Sequence, residues 1–294
     1  MMNLMPAPTF RTLVLEWRLD PAMAFLVVLL AALYLGGVRR LARRSPPRHW
    51  PAGRTASFLA GLFTIVVATQ SGFARYDVVL FSLHTLQHIL LAMVAPALLA
   101  LSAPITLALQ ASRPRTQRTL ARLLHHPVVG VLTHPAVAWV FFGGTLFALY
   151  FSPLFDLSLR NRWVHQAVHL HFLLAGCLFA WVAFGIDAIP HRLPHPARLL
   201  FVLLAVPFHA FLGLAVLSAA DHPLGADVYG AVVRTWGAGL PADQRVGAGM
   251  LWGIGDLYGL VAGAVVLAQW IAADERRQRR EDRILDASEA DQWN

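Results

Sequence analysis

The sequence predicts an all-α integral membrane protein, a bundle of about seven transmembrane helices forming a single membrane domain. Hydrophobic residues make up 57% of the 294 residues and charged residues only 14%, whereas an ordinary soluble domain carries about a quarter charged residues. The mean hydropathy is +0.56. The single cysteine, Cys177, lies in an apolar stretch, which excludes a disulfide framework and a CxxC copper-carrier motif.

Seven apolar stretches have about the length that a bilayer requires of a helix. They cover residues 22–38, 56–73, 78–101, 128–150, 163–186, 197–219 and 246–272. Together they predict a helix bundle over 22–272, preceded by an extracytoplasmic segment at 1–21 and followed by a charged cytoplasmic tail at 273–294. Because a densely basic segment follows the first stretch, we predict a retained anchor there rather than a cleaved signal peptide.

All 24 basic residues are arginine, and they are concentrated in alternate connections between the stretches. The basic segments are 39–54, 113–122 and 276–283, whereas the connections around 75–77 and 221–245 are nearly neutral or slightly acidic. Because arginine is enriched on the cytoplasmic side, the N-terminus is predicted outside and the C-terminus in the cytoplasm. The net charge of +8 therefore indicates topology and contact with anionic lipid headgroups, and not nucleic-acid binding.

Several histidines fall in the outer half of the membrane once these helix directions are applied. His84 and His88 lie four residues apart on the third helix, and His165 and His169 repeat that spacing on the fifth, so each pair shares one helix face. His209, on the sixth helix, lies about 15 Å before its outer end. Polar groups at this depth are costly and are candidates for function by default.

Four further residues are weaker candidates: His171, His222, Met250 and Asp256. Two i, i+4 histidine pairs on different helices can bind one metal ion. Imidazole together with a thioether favours copper, and such ligands bind zinc or iron less selectively. The alternative is a polar cluster that stabilises packing through hydrogen bonds between helices. For five histidines in one layer, a metal or cofactor is the preferred interpretation.

Four blocks of the sequence resemble, in the same order, the seven-helix CtaG family of cytochrome c oxidase assembly factors. The blocks are HTLQHILLAMVAPALLALSAPIT, HQAVHLHFLLAGCLFAW with the following GIDAIP, PFHAFLG, and DQRVGAGMLWGIGDL. The resemblance implies a bacterial inner-membrane protein that delivers copper to the membrane-embedded copper site of the oxidase catalytic subunit. That subunit is the implied partner, and a periplasmic copper chaperone is a further candidate. The positions implied for copper are His84, His88, His165, His169 and His209, with Asp243, Met250 and Asp256 as polar or soft companions.

Three other functions stay open at this point. A haem-binding redox protein uses histidines on facing helices as axial ligands, although i, i+4 pairs are unnecessary for that. A transporter or proton-coupled channel that uses Asp256 and the histidines as a relay normally has a pathway to both faces and often repeated halves, and no repeat is apparent. A scaffold for oxidase assembly needs no metal. Because the sequence has no catalytic nucleophile motif, phosphate-binding glycine loop or nucleotide site, it is not expected to be an enzyme.

Overall fold

The structure, a computed structural model, describes residues 6–44, 46 and 48–292, and over this range it is helical without any β-strand. The principal helices are α1 (Pro21–Ala42), α2 (Ala52–Tyr76), α3 (Phe81–Ala111), α4 (Pro135–Tyr150), α5 (Leu154–Arg160), α6 (Arg162–Phe184), α7 (His195–Asp221) and α8 (Leu240–Gln292). Shorter helices cover Phe10–Leu15, Pro114–Leu124, Pro127–Leu132 and Ala226–Tyr229. Residues 1–5 of the predicted extracytoplasmic segment and 293–294 of the predicted tail lie outside the described residues.

Six helices in the described chain are long and apolar enough to cross a membrane: α1, α2, α3, α6, α7 and α8. They correspond to six of the seven predicted stretches. The remaining stretch contains α4, which is bent by 74° relative to α5, and these two helices meet the same criterion only as a pair. The described residues therefore contain six candidate spans, or seven if the bent pair counts as one.

Prolines explain why the fourth predicted stretch, 128–150, is not one straight helix. Pro127 begins the helix Pro127–Leu132 and Pro135 begins α4, while His134 between them has extended backbone with φ −63° and ψ 130°. Proline lacks an N–H group and disfavours helical backbone at the residue before it. The observed helix therefore begins at Pro135, later than the apolar stretch predicted.

Large apolar side chains cover the outside of the bundle. Phe25, Leu33 and Phe63 are each about two-thirds exposed, at 68%, 65% and 65%. Only 11% of the most apolar 18-residue segment of α1 is buried inside the protein. Such continuous apolar exposure is unusual for a soluble protein and is what a lipid environment favours.

Helices α3 and α6 approach each other closely where α3 widens into a π-helical turn, Leu90–Val94. Gly176 of α6 faces this turn, and a Cβ atom placed on it would lie 2.1 Å from the carbonyl oxygen of Ala92. Only a residue without a side chain fits there. The glycine thus allows the two backbones to touch, just after the segment of α3 that carries His88.

The first turn of α3 is stabilised by a carboxylate from α8. Asp243 accepts hydrogen bonds from the backbone N–H groups of Phe81 (2.7 Å) and Ser82 (3.4 Å), and from the Ser82 hydroxyl (2.5 Å). The first amides of a helix have no partner within it, and a negative charge at this end is favourable. Asn161 caps α6 in a similar way, accepting from the Trp163 N–H at 2.9 Å. The N-terminal ends of both histidine-bearing helices are therefore held in place.

Candidate functional site

Four of the predicted histidines meet near the N-terminal ends of α3 and α6. The ring centroids are 4.2 Å apart within each pair, His84–His88 and His165–His169. Between the helices, the centroids are 5.3 Å apart for His84 and His165 and 5.8 Å apart for His88 and His169. All four contacts are edge to face. These side chains form one compact group, the four-histidine cluster.

The four-histidine cluster is buried, and several of its ring nitrogens make no hydrogen bond in the part of the chain that the structure describes. His84, His88 and His169 are at most 5% exposed, and the His165 side chain is 11% exposed. Both ring nitrogens of His84, and Nε2 of His88 and of His165, make no hydrogen bond within the described residues. Each unsatisfied buried polar group costs about 1–3 kcal/mol. Such a concentration is expected where ring nitrogens bind a ligand from outside the chain.

Two neighbouring side chains orient rings of the cluster. The Gln87 amide donates to the carbonyl oxygen of Ala68 on α2 at 2.8 Å, and its oxygen lies 3.1 Å from His169 Nε2. Because that oxygen only accepts, His169 Nε2 carries the proton and its Nδ1 keeps the lone pair that a metal requires. The Tyr150 hydroxyl lies 3.3 Å from His88 Nδ1. The two contacts resemble the outer hydrogen bonds that orient metal-binding histidines in proteins.

A polar pocket reaches the cluster from the end of the bundle where α3 and α6 begin. It encloses about 260 Å³, and its lining includes Asp20, Asp77, Gln166, His165 and His169. The Asp77 carboxylate lies 3.4 Å from His165 Nε2, and the Asp77 side chain is only 8% exposed. The pocket thus gives access to the α6 pair of histidines beside the buried Asp77 carboxylate, and its lining also contains the guanidinium groups of Arg18, Arg160 and Arg162.

The cluster can be compared with what a metal ion requires. A metal–imidazole bond is about 2.0–2.1 Å long, so the centroids of two rings on one ion lie at most about 6 Å apart. The four separations, 4.2–5.8 Å, fall within that limit. Among the described residues, however, no three His, Cys, Asp or Glu side chains already have metal-binding geometry. Metal binding therefore requires the rings to reorient.

Comparison with protein families places these histidines in a known context. The family described as cytochrome c oxidase caa3 assembly factor (Caa3_CtaG) matches residues 32–273. The chain belongs to this family. The match includes all four sequence blocks that carry the predicted resemblance, so that prediction is confirmed.

The relatives of this Caa3_CtaG chain are longer proteins. An uncharacterized protein of Mycobacterium bovis is 36% identical over 97% of this chain, which covers 44% of that protein. An uncharacterized protein of Mycobacterium leprae is 35% identical over 94% of this chain, covering 42% of that protein. The chain thus spans less than half the length of the curated relatives that it matches. No solved structure matches it.

The fifth strong candidate of this Caa3_CtaG chain, His209, is fully buried but lies apart from the four-histidine cluster. Its Nδ1 lies 2.7 Å from the Ala205 carbonyl oxygen, and its Nε2 makes no hydrogen bond to any described residue. Its ring contacts Phe142 at 5.7 Å between centroids, and Gly255 of α8 packs closely on it. In the described residues no ring contact or hydrogen bond joins it to the cluster, so its assignment as a copper ligand stays a prediction.

No hydrogen bond or ring contact within the described residues joins the four weaker candidates to the cluster, so their assignments also stay predictions. His171, on α6, packs against Phe141 and Phe172, with centroids 6.4 and 6.0 Å apart. His222 is exposed at the end of α7. Met250 is partly buried against the apolar core, and Asp256 has a buried oxygen, Oδ1, that makes no hydrogen bond in the described chain.

Two residues beside the four-histidine cluster carry no pattern in the sequence that singles them out. Asp77 is noticeable there only as a charge in a short connection, and Tyr150 only as the last residue of an apolar stretch. No spacing pattern links either one to a histidine. Gln87 lies between the two histidines of α3, where its side chain can orient an imidazole or bond to a neighbouring helix. The structure shows both contacts at once.

Proposed function

We propose that this chain assists the assembly of cytochrome c oxidase by carrying copper to the membrane-embedded copper site of the catalytic subunit. The observation that supports this most is the convergence of four buried imidazoles, four of whose ring nitrogens make no hydrogen bond within the described residues. Membership of the oxidase assembly family supports the choice of client. Imidazole is a suitable ligand for copper. Copper is a cargo in this proposal, so the chain acts as an assembly factor and not as an enzyme.

The proposed topology has seven spans, with the bent pair α4 and α5 forming the fourth. This count keeps the arginine-rich segments 39–54, 113–122 and 276–283 on one side of the membrane. With only six spans, segment 276–283 would lie on the opposite side of the membrane from segments 39–54 and 113–122. That arrangement goes against the preference of arginine for the cytoplasm. The N-terminus is then outside, the C-terminus is cytoplasmic, and the four-histidine cluster faces the outer side of a bacterial inner membrane.

In this topology the polar pocket opens toward the outer side, where a donor such as a periplasmic copper chaperone would meet it. Copper that enters the pocket reaches His165 and His169, which line it. His84 and His88 lie behind them and are at most 1% exposed. The Asp77 carboxylate places a negative charge directly beside His165, whereas Arg18, Arg160 and Arg162 place positive charges elsewhere on the lining.

The direct test is metal analysis of the purified full chain after expression with copper. The variants are the double substitutions His84→Ala/His88→Ala and His165→Ala/His169→Ala. A matched control is His125→Ala/His126→Ala, which removes two exposed histidines from a connection between helices. We expect stoichiometric copper in the wild type and the control, and a loss of about tenfold or more in both cluster variants.

The results that would contradict the proposal are specific. A metal-free wild-type protein, or equal copper in the wild type and both cluster variants, would exclude the cluster as the copper site. A strong Soret band would indicate haem instead. In a deletion strain, full recovery of oxidase copper by His84→Ala/His88→Ala would identify a scaffold that works without binding metal.

A further inference from the structure

A second polar site lies at the C-terminal end of α6, opposite to the four-histidine cluster. It is an open groove of about 920 Å³ between α6, α7 and α8. Four basic side chains line it, and none of its lining residues in the described chain is acidic: Arg192, Arg198, Arg276 and His195. Gly185 of this groove follows His169 by sixteen residues, about 24 Å along a helix, so the two sites are separate.

The two central arginines are held by the end of α6. Arg198 donates from Nη1 to the carbonyl oxygen of Phe184 at 2.5 Å and to Gln269 of α8 at 3.1 Å. Arg192 donates from Nε and Nη2 to the carbonyl oxygen of Gly185 at 3.0 and 2.7 Å. Gly185 has a positive φ of 55°, and a Cβ there would lie 2.8 Å from Arg198 Nη1. The backbone therefore turns tightly around these side chains.

One N–H donor of Arg198 in this groove has no acceptor among the described residues. Arg198 is only 5% exposed, yet its Nε is buried and makes no hydrogen bond within the described residues. A buried guanidinium is costly unless an anion or an oxygen acceptor satisfies its donors. The fork of N–H groups on arginine matches the oxygens of a phosphate group.

The rest of the lining is apolar. Ile186, Leu193, Val265, Ala268 and Ala272 form this part of the wall. A soluble anion gains nothing from such a surface, whereas a lipid can place its headgroup on the arginines and its acyl chains along the apolar side. Basic pockets between transmembrane helices on the cytoplasmic side bind anionic phospholipids in this way. We propose that this groove binds an anionic phospholipid through its phosphate group.

The site is tested with the full chain, delipidated in a neutral detergent, by native mass spectrometry and by the thermal unfolding midpoint. The probes are phosphatidylglycerol, phosphatidylcholine with the same acyl chains, and inorganic phosphate alone. The variant Arg192→Gln/Arg276→Gln removes two groove charges and leaves the buried Arg198 intact. The control Arg279→Gln/Arg280→Gln removes two charges from exposed positions further along α8.

We expect phosphatidylglycerol to bind and stabilise the wild type and the control, and to bind the groove variant about thirtyfold more weakly. If that variant does not fold, the single substitution Arg276→Gln should weaken binding about fivefold. Equal binding by variant and control would overturn the proposal. Equal stabilisation by phosphatidylcholine would also overturn it, because the headgroup of that lipid has no net negative charge. Equal stabilisation by inorganic phosphate would overturn it as well, because that anion has no acyl chains. The copper content of the variants should not change, so this result is independent of the copper proposal.

Discussion

Replacing Gly176 by alanine is expected to weaken both the fold and the four-histidine cluster. The added Cβ would lie 2.1 Å from the Ala92 carbonyl oxygen and 2.7 Å from Cγ of Pro96. A carbon and an oxygen in contact normally lie about 3.3 Å or more apart, so α6 must move away from α3 by about 1 Å. Both helices carry half of the cluster, and this separation would move the His165–His169 pair away from the His84–His88 pair.

The expected cost follows from overpacking a tight contact, which destabilises proteins by about 1–3 kcal/mol. Gly253→Ala is the matched control, because no atom of the described chain beyond its own helical turn lies within 4 Å of a Cβ built on this glycine. Both substitutions gain the same helix propensity, about 0.8–1.0 kcal/mol, so the difference between them isolates the contact with Ala92 and Pro96.

The assay compares thermal unfolding midpoints and copper content of the two variants in the same detergent. We expect the midpoint of Gly176→Ala to lie below that of Gly253→Ala, by roughly 2–4 °C for each kcal/mol, and its copper content to be reduced. Equal midpoints and equal copper content in the two variants would refute the argument that this backbone contact holds the cluster together.

Two further substitutions test different features: one tests the orientation of a histidine ring, and the other tests the cap at the start of a helix. Gln87→Leu removes the acceptor that orients His169, and we expect copper affinity to fall by about 10–100-fold, as for other outer hydrogen bonds around metal sites, measured by competition with a copper chelator. Asp243→Ala removes the carboxylate that caps α3, and we expect a loss of about 0.5–2 kcal/mol of stability, measured as a lower thermal midpoint.

Each of these predictions has a surface control. Gln278→Leu changes an exposed glutamine near the end of α8 and should leave copper affinity unchanged. Asp227→Ala breaks an exposed ion pair with Arg160 and should change stability by no more than about 1 kcal/mol. If Gln87→Leu binds copper as tightly as Gln278→Leu, the contact with His169 has no role in the site. If Asp243→Ala is as stable as Asp227→Ala, the cap contributes nothing.

Much of the fold could be predicted from the length of the apolar stretches, and the exception has a local cause. Six stretches correspond to long helices. Hydropathy averages over about twenty residues and does not respond to a single break, whereas Pro135 alone sets the start of α4. The bend into α5 likewise depends on a few residues, so it was not predicted.

The histidine pairs could be predicted because i, i+4 spacing alone places two side chains on one helix face. The arginine-rich connections indicate helix direction and hence depth, but depth does not give the rotation of a helix about its own axis. His209 shows the difference: it was placed in the same layer, yet its ring packs against Phe142 and Gly255. Asp77 and Tyr150 approach the cluster only through tertiary packing, which no local pattern reports.

The distribution of burial across the cluster implies an order for the proposed transfer of copper. His165 and His169 line the pocket, whereas His84 and His88 lie behind them with at most 1% exposure. Neighbouring ring centroids are no more than 5.8 Å apart, so an ion can bind a ring of the second pair before it leaves the first. Each step then exchanges one imidazole for another, and copper never has to enter the apolar interior without ligands, which would be very costly for a bare charge. An ion held by two imidazoles at a time occupies only two of the four histidines. In this proposal the other two are free to take it over, so the ion advances while it stays bound.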